Sequence, residues 1–214
     1  MPSAVSSSAF QSKPDGGILR IDGLLLNIAS IQTSGFDWKA ELLTAEGNAG
    51  QFRISWANTH LSDYKETVPG PSGDITVDRA GTELGSPERA FVEWKSTLSA
   101  DWYYGDWAAR LAFQYYSDLD EDCGGMTAAF ELWDEFCSRG QDGNDIDSVL
   151  FTNVQATWTP QARGEGNWSV QVGIDNLFDE TIPFCASCDL NSFDGTIYPI
   201  PGMFWYTRVN YSLD

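Results

Sequence analysis

The chain of 214 residues holds 31 Asp and Glu against 12 Lys and Arg, a formal net charge of −19 at pH 7, and 14% of its residues are aromatic. This charge excludes a nucleic-acid partner, whose phosphates it would repel, and a polybasic helix lying on an anionic membrane. No apolar run approaches the roughly 20 residues that a membrane-spanning helix requires.

Met1–Phe10 is Ser-rich and lacks the basic and apolar regions of a secretory signal. Residues 1–26 read as a loop or irregular segment, and the stretch Ile18, Arg20, Asp22, Leu24, Leu26 is the candidate for one extra strand. From residue 27 to residue 214 the chain reads as a succession of strands. Phe36, Trp38, Ala40 and Leu42 share one parity, and Asp37, Lys39 and Glu41 the other. Period-two alternation sends the two sets to opposite faces. Glu46-Gly47-Asn48-Ala49-Gly50 has turn composition, and Phe52, Ile54 and Trp56 return against Gln51, Arg53 and Ser55. Pro69, Gly70, Pro71, Gly73 and Pro87 then predict a long connection, Leu61 to Glu88, in which neither helix nor strand persists.

Val92, Trp94, Leu98, Ala100 and Trp102 oppose Glu93, Lys95, Thr97, Ser99 and Asp101. Tyr104-Gly105-Asp106 is a tight turn, after which Trp107, Ala109, Leu111, Phe113 and Tyr115 oppose Ala108, Arg110, Ala112 and Gln114. A polar excursion runs from Ser117 to Ser148. Leu150, Val154, Ala156 and Trp158 then oppose Asn153, Gln155 and Thr157, and the chain turns at Pro160 to Gly166. Trp168, Val170, Val172 and Ile174 oppose Ser169, Gln171, Gly173 and Asp175, a last long loop spans Leu177 to Gly202, and alternation closes the chain from Met203 to Leu213.

Seven strands joined by alternately short and long connections match the rhythm of transmembrane β-barrels, and each predicted strand has about the 9–11 residues that a tilted strand needs to cross a bilayer. Trp102, Trp107, Trp158 and Trp168 lie beside the short turns on the apolar parity, where an interfacial girdle belongs. Arg53, Arg110 and Arg208 stand on the polar parity, the lumen side of such a barrel, where an ion pair with Glu93 or Asp101 is the simple account.

Cys123/Cys137 and Cys185/Cys188 suggest two local disulfides in an oxidising compartment, although four cysteines permit three pairings. One histidine, His60, without a nucleophile and orienting acid beside it is a poor catalytic signal. The acidic clusters Asp118/Asp120/Glu121/Asp122 and Asp142/Asn144/Asp145/Asp147 offer hard oxygen ligands for Ca²⁺ but lack the EF-hand spacing, and a solvated anionic loop is the simpler reading. Phe130, Trp133 and Phe136 could stack on a ligand or pack on one another over a barrel mouth.

Three segments resemble TonB-dependent outer-membrane receptors. Asn27-Ile28-Ala29-Ser30-Ile31-Gln32-Thr33-Ser34-Gly35-Phe36-Asp37 is similar to one of their strands, and Asn176-Leu177-Phe178-Asp179 to the motif that opens their last outer loop. Pro201-Gly202-Met203-Phe204-Trp205 resembles the start of their closing strand. The chain departs from the family in having Met203 where Arg is common and Asp214 where an aromatic residue is usual, and in showing no plug or TonB-contacting segment.

The resemblance implies the C-terminal barrel portion of a receptor in the bacterial outer membrane. Such a receptor would take up a scarce nutrient with energy delivered through TonB. Its partners would be outer-membrane lipid, the rest of the barrel and its plug, TonB through the missing N-terminal part, and a small nutrient ligand. No covalent chemistry, metal or cofactor is implied. The expected fold is all-β: an antiparallel up-and-down transmembrane barrel segment of about seven strands, or eight with 18–26, with short periplasmic turns and long extracellular loops. A small closed eight-stranded barrel and a secreted carbohydrate-binding β-sandwich are the alternatives.

Overall fold

A computed structural model describes residues 10–12, 18–21, 30–70, 72–85, 88–122, 144–160, 166–188, 192–199 and 202–212. The described residues are all-β, without a helix. Seven long strands form the body of one antiparallel sheet: β3 (Ser30–Leu43), β4 (Gln51–Gly70), β8 (Trp94–Tyr104), β9 (Trp107–Tyr116), β12 (Val149–Trp158), β13 (Asn167–Asp175) and β14 (Phe204–Ser212). Each pairs with the next along the chain, so the sheet is an up-and-down meander with β3 and β14 at its ends. β5 (Gly73–Asp78) adds an eighth strand by pairing with the far half of β4. The described residues do not close this sheet into a barrel. Separately, β1 (Phe10–Ser12) pairs with β2 (Ile18–Ile21).

The three short connections lie at one end of the sheet. At the β8–β9 turn Gly105 has φ +56°, a left-handed conformation that glycine enters without steric cost. All three long connections lie at the other end, and there the structure departs from expectation. Residues 61–88 hold strand after all: β4 runs for 20 residues, followed by β5, β6 (Thr82–Gly85) and β7 (Glu88–Ala90). Pro69 is tolerated because it stands one pair from the Gly70–Gly73 hairpin closure, where the ladder ends. Thr67, Val68, Ile75, Thr76 and Val77, largely β-branched, sustain the pairing around it.

The second connection contributes β10 (Leu119–Asp122) and β11 (Asn144–Ile146), which join β6 and β7 in a four-stranded sheet of order β11-β10-β6-β7. The buried core gathers residues of this small sheet, of the long connections and of the adjoining ends of β9 and β12. Val92, Leu119, Ile146, Cys185 and Cys188 form one buried cluster, and Val149, Phe151 and Tyr198 another. Tyr116 and Ile197 pack against both.

Candidate functional site

Register aligns the apolar parity of all seven long strands into continuous rows. Leu42 faces Ile54, Ile54 faces Ala100, and the row continues through Leu111, Val154 and Ile174 to Trp205. A neighbouring row runs Phe52, Trp102, Ala109, Ala156, Val172 and Thr207. These side chains are uncovered: Leu42 is 58% exposed, Val172 49% and Trp205 70%. A soluble monomer seldom exposes a contiguous apolar face beyond a few hundred Å².

Aromatic rings bound this face at both ends. At the short-turn end Trp102 stacks with Tyr104, Trp107 lies 6.2 Å from Trp158, and Trp168 lies 4.7 Å from Tyr211. The Trp102 indole also donates to the Ala49 carbonyl at 2.7 Å. Toward the other end Phe36, His60 and Trp94 form a second cluster, with Phe36 5.1 Å and Trp94 5.2 Å from the His60 ring. His60 therefore sits among aromatics, its Nδ1 3.1 Å from the Glu93 carbonyl oxygen.

Just past this cluster a bulge between Ser34 and Gly35 changes the parity of β4. Gly35 is required there, since a Cβ would stand 2.3 Å from the His60 carbonyl oxygen. Beyond the bulge the same face becomes polar. Ser34 donates to Asp63 at 2.6 Å, Lys65 pairs with Asp63 and Asp78, and Thr67 meets Thr76 at 2.8 Å. The 11 residues of β8 connect the two aromatic ends. That is about 33 Å along the strand, or about 25 Å of height at a tilt near 40°.

The opposite face is mostly polar over its middle, and at the long-connection end Tyr116, Val149 and Phe151 carry it into a buried cluster. Arg53 and Arg110 flank Asp101 in register, and Gln155, Gly173 and Tyr206 continue that row. Arg53 pairs with Glu41 at 3.5 Å and Arg110 with Asp101 at 3.7 Å, both solvent-accessible pairs of small energetic weight. Arg208 lies on this face opposite Gln171. Arg110, Gln114, Asn153, Gln155, Asp175 and Tyr206 line a polar hollow, with the Tyr206 hydroxyl 3.1 Å from Gln155 Oε1.

At the long-connection end the motif Asn176-Leu177-Phe178-Asp179 acquires a physical role. Asn176 (φ +53°) and Asp179 (φ +54°) both adopt the left-handed conformation that Asn and Asp tolerate best among non-glycine residues. The buried Asn176 amide donates to the Glu180 carbonyl and accepts from the Glu180 N–H, both at 2.8 Å. Its own N–H reaches Asn153 at 2.8 Å. Asp179 accepts from the Met203 N–H at 2.9 Å and lies beside Gly202, so the motif clasps both ends of the third connection. Leu177 joins through its N–H to the Thr152 carbonyl at 2.7 Å, whereas the Phe178 side chain is 72% exposed. Pro201 lies outside the described residues.

Cys185 and Cys188 are joined by a disulfide, in the buried cluster rather than in polar surroundings. Cys123 and Cys137, like Phe130, Trp133, Phe136 and Asp142, lie outside the described residues. Glu121, expected among solvated acids, is fully buried. Its carboxylate accepts from the Ala186 N–H at 3.0 Å, from the Ser187 N–H and from the Asn144 amide, which binds the second connection to the third. Glu83, from the first connection, and Asp194, from the third, are buried close to it. Burial, reinforced by the Asp194 and Glu121 charges, pushes the Glu83 carboxyl up to about 9, and burial raises the Tyr198 phenol beside it. Sequence reading missed Glu83 and Asp194, because nothing local distinguishes a buried acid from an exposed one, and placed Tyr198 only as a neighbour of the Cys185–Cys188 loop.

No protein-family model matches the chain, and no curated protein matches it in sequence.

Proposed function

We propose that this chain is part of the wall of an outer-membrane β-barrel, the C-terminal portion of a receptor similar to the TonB-dependent family that imports a scarce nutrient. The observation that carries this reading is the uncovered apolar face, continuous across seven strands and edged by aromatics, beyond which the same strands turn polar. Lipid is the solvent such a face fits: acyl chains against the aliphatic rows, indoles at the headgroups, charged loops outside. The polar face then lines the lumen, and the Asn176-Leu177-Phe178-Asp179 clasp shapes the last outer loop.

β3 and β14 expose unpaired backbone on their outer edges among the described residues. In hydrocarbon each such group costs several kcal/mol, so the reading requires further strands at both edges. Seven antiparallel strands leave β3 and β14 running in the same direction. An odd number of additional strands would complete an antiparallel circuit, which agrees with a fragment of a larger receptor.

Export of the chain to the periplasm of a bacterial host, followed by fractionation, tests this. Retention in the outer membrane, released only by detergent and with heat-modifiable gel mobility, supports it. A chain soluble without detergent overturns it in favour of a secreted β-sandwich.

A further inference from the structure

Six side-chain atoms among the described residues are buried without a hydrogen-bond partner, and four of them converge on one place: Glu83 Oε1 and Oε2, Asp194 Oδ2 and the Tyr198 hydroxyl oxygen. Glu83 and Asp194 are 0% and 1% exposed and Tyr198 7%. The three act electrostatically on one another, and Glu121 adds a third negative charge to Glu83. Orphaned buried oxygens each carry a desolvation cost of about 1–3 kcal/mol, more for a charged group.

We propose that Glu83 and Asp194, with the Tyr198 hydroxyl, hold a hard divalent cation of the calcium class between the first and third long connections. A single proton on Glu83 satisfies the contact with Asp194, and the Arg89 backbone N–H bears on the same carboxyl, but the Tyr198 oxygen stays without a partner. A hard cation takes six to eight oxygens in flexible geometry and satisfies all four atoms at once, with backbone carbonyls and water completing the shell. Charge agrees: three carboxylates stand against the Lys95 ammonium, which interacts with Asp194, so a divalent ion brings the formal sum to zero.

Soft ions do not suit the site. The sulfurs of Cys185 and Cys188, which lie within 4.8 Å of a Glu83 oxygen, are tied up in their disulfide. Asp194 already receives the Thr196 N–H on Oδ1 at 2.6 Å, which leaves Oδ2 as its unpartnered oxygen. Glu121 is occupied by the Ala186 and Ser187 N–H groups and supplies field rather than coordination. The inference stands on the loop end of the fold and not on what covers the apolar face.

Terbium luminescence on the full chain in detergent, with Ca²⁺ as competitor, tests the site. The expected result is saturable Tb³⁺ binding displaced by Ca²⁺, weakened roughly ten- to a hundredfold by Glu83→Gln or Asp194→Asn. Glu83→Gln matches the protonated side chain in shape, so it should keep the strand content by circular dichroism. Tyr198→Phe, which changes no charge, is the second variant should either acid variant fail to fold, and is expected to weaken binding several-fold. Absence of saturable binding overturns the proposal. So does binding that all folded variants retain at full affinity, because the ion would then sit on the exposed acids of 118–122 or 144–147.

Discussion

Leu111→Arg separates a lipid-facing sheet from one that meets water. Leu111 is 38% exposed and central in the row from Leu42 to Trp205. It stands four residues beyond Trp107 on β9, about 13 Å along the strand and about 10 Å above the lower aromatic ring at a tilt near 40°. An apolar band about 25 Å tall has its midplane close to that height, where an arginine costs about 2–4 kcal/mol. Were the face in water, replacing a side chain this exposed would cost about 1 kcal/mol or less. Gln155→Arg is the internal control, since Gln155 lies on the polar face between Arg110 and Gly173 and already has a polar environment. Urea titration of refolding into phospholipid vesicles, followed by heat-modifiable mobility, measures both variants. Equal costs for Leu111→Arg and Gln155→Arg would refute the assignment of the faces.

Asn176→Ala removes the paired Glu180 contacts and places alanine at φ +53°. The expected loss is about 2–3 kcal/mol, read by urea titration, with faster protease cleavage in the third connection. Asn58→Leu should instead stabilise by about 1–2 kcal/mol, because the Asn58 amide is buried beside Trp38 and both its polar atoms lack partners. A lower urea midpoint would contradict this. With divalent ions chelated, the loop end should weaken as pH rises. Glu83 titrates near 9 when folded against about 4.5 ordinarily, facing Asp194, Glu121 and Tyr198. The folded state thus holds the proton more tightly, and its stabilising contribution, complete below pH 4.5, disappears as pH climbs to 9. Thermal melting between pH 5 and 9 should show this slope, and Glu83→Gln should flatten it.

The large sheet was legible because side-chain period, turn composition and strand length all agree along it. The rows Leu42 to Trp205 need only the parity of each strand and the length of each short turn. The loop end was not legible in the same way. Leu119 and Glu121 share a face of β10 and are both buried, yet an acid at an inward position reads as exposure when its donors, the Ala186 and Ser187 N–H groups, lie more than sixty residues away. Pro69 and the glycines around it signalled a break, whereas the ladder to β5 simply carries the proline to its end. The bulge at Ser34 and Gly35 could not be placed from alternation either, because the apolar parity ends at Phe36 and the residues before it, Gln32 to Gly35, carry no alternation that would mark the shift. The Asn176 motif was noticed through family resemblance, and only its hydrogen bonds explain why Asn and Asp stand three residues apart.

Spin-label scanning along β9, one residue at a time from Trp107 to Tyr116 in lipid vesicles, addresses the membrane assignment most directly. A lipid-facing apolar parity predicts that labels at 107, 109, 111, 113 and 115 are relaxed by oxygen dissolved in the bilayer, and those between them by a water-soluble nickel chelate. Nickel access on both parities, with no alternation, would contradict it.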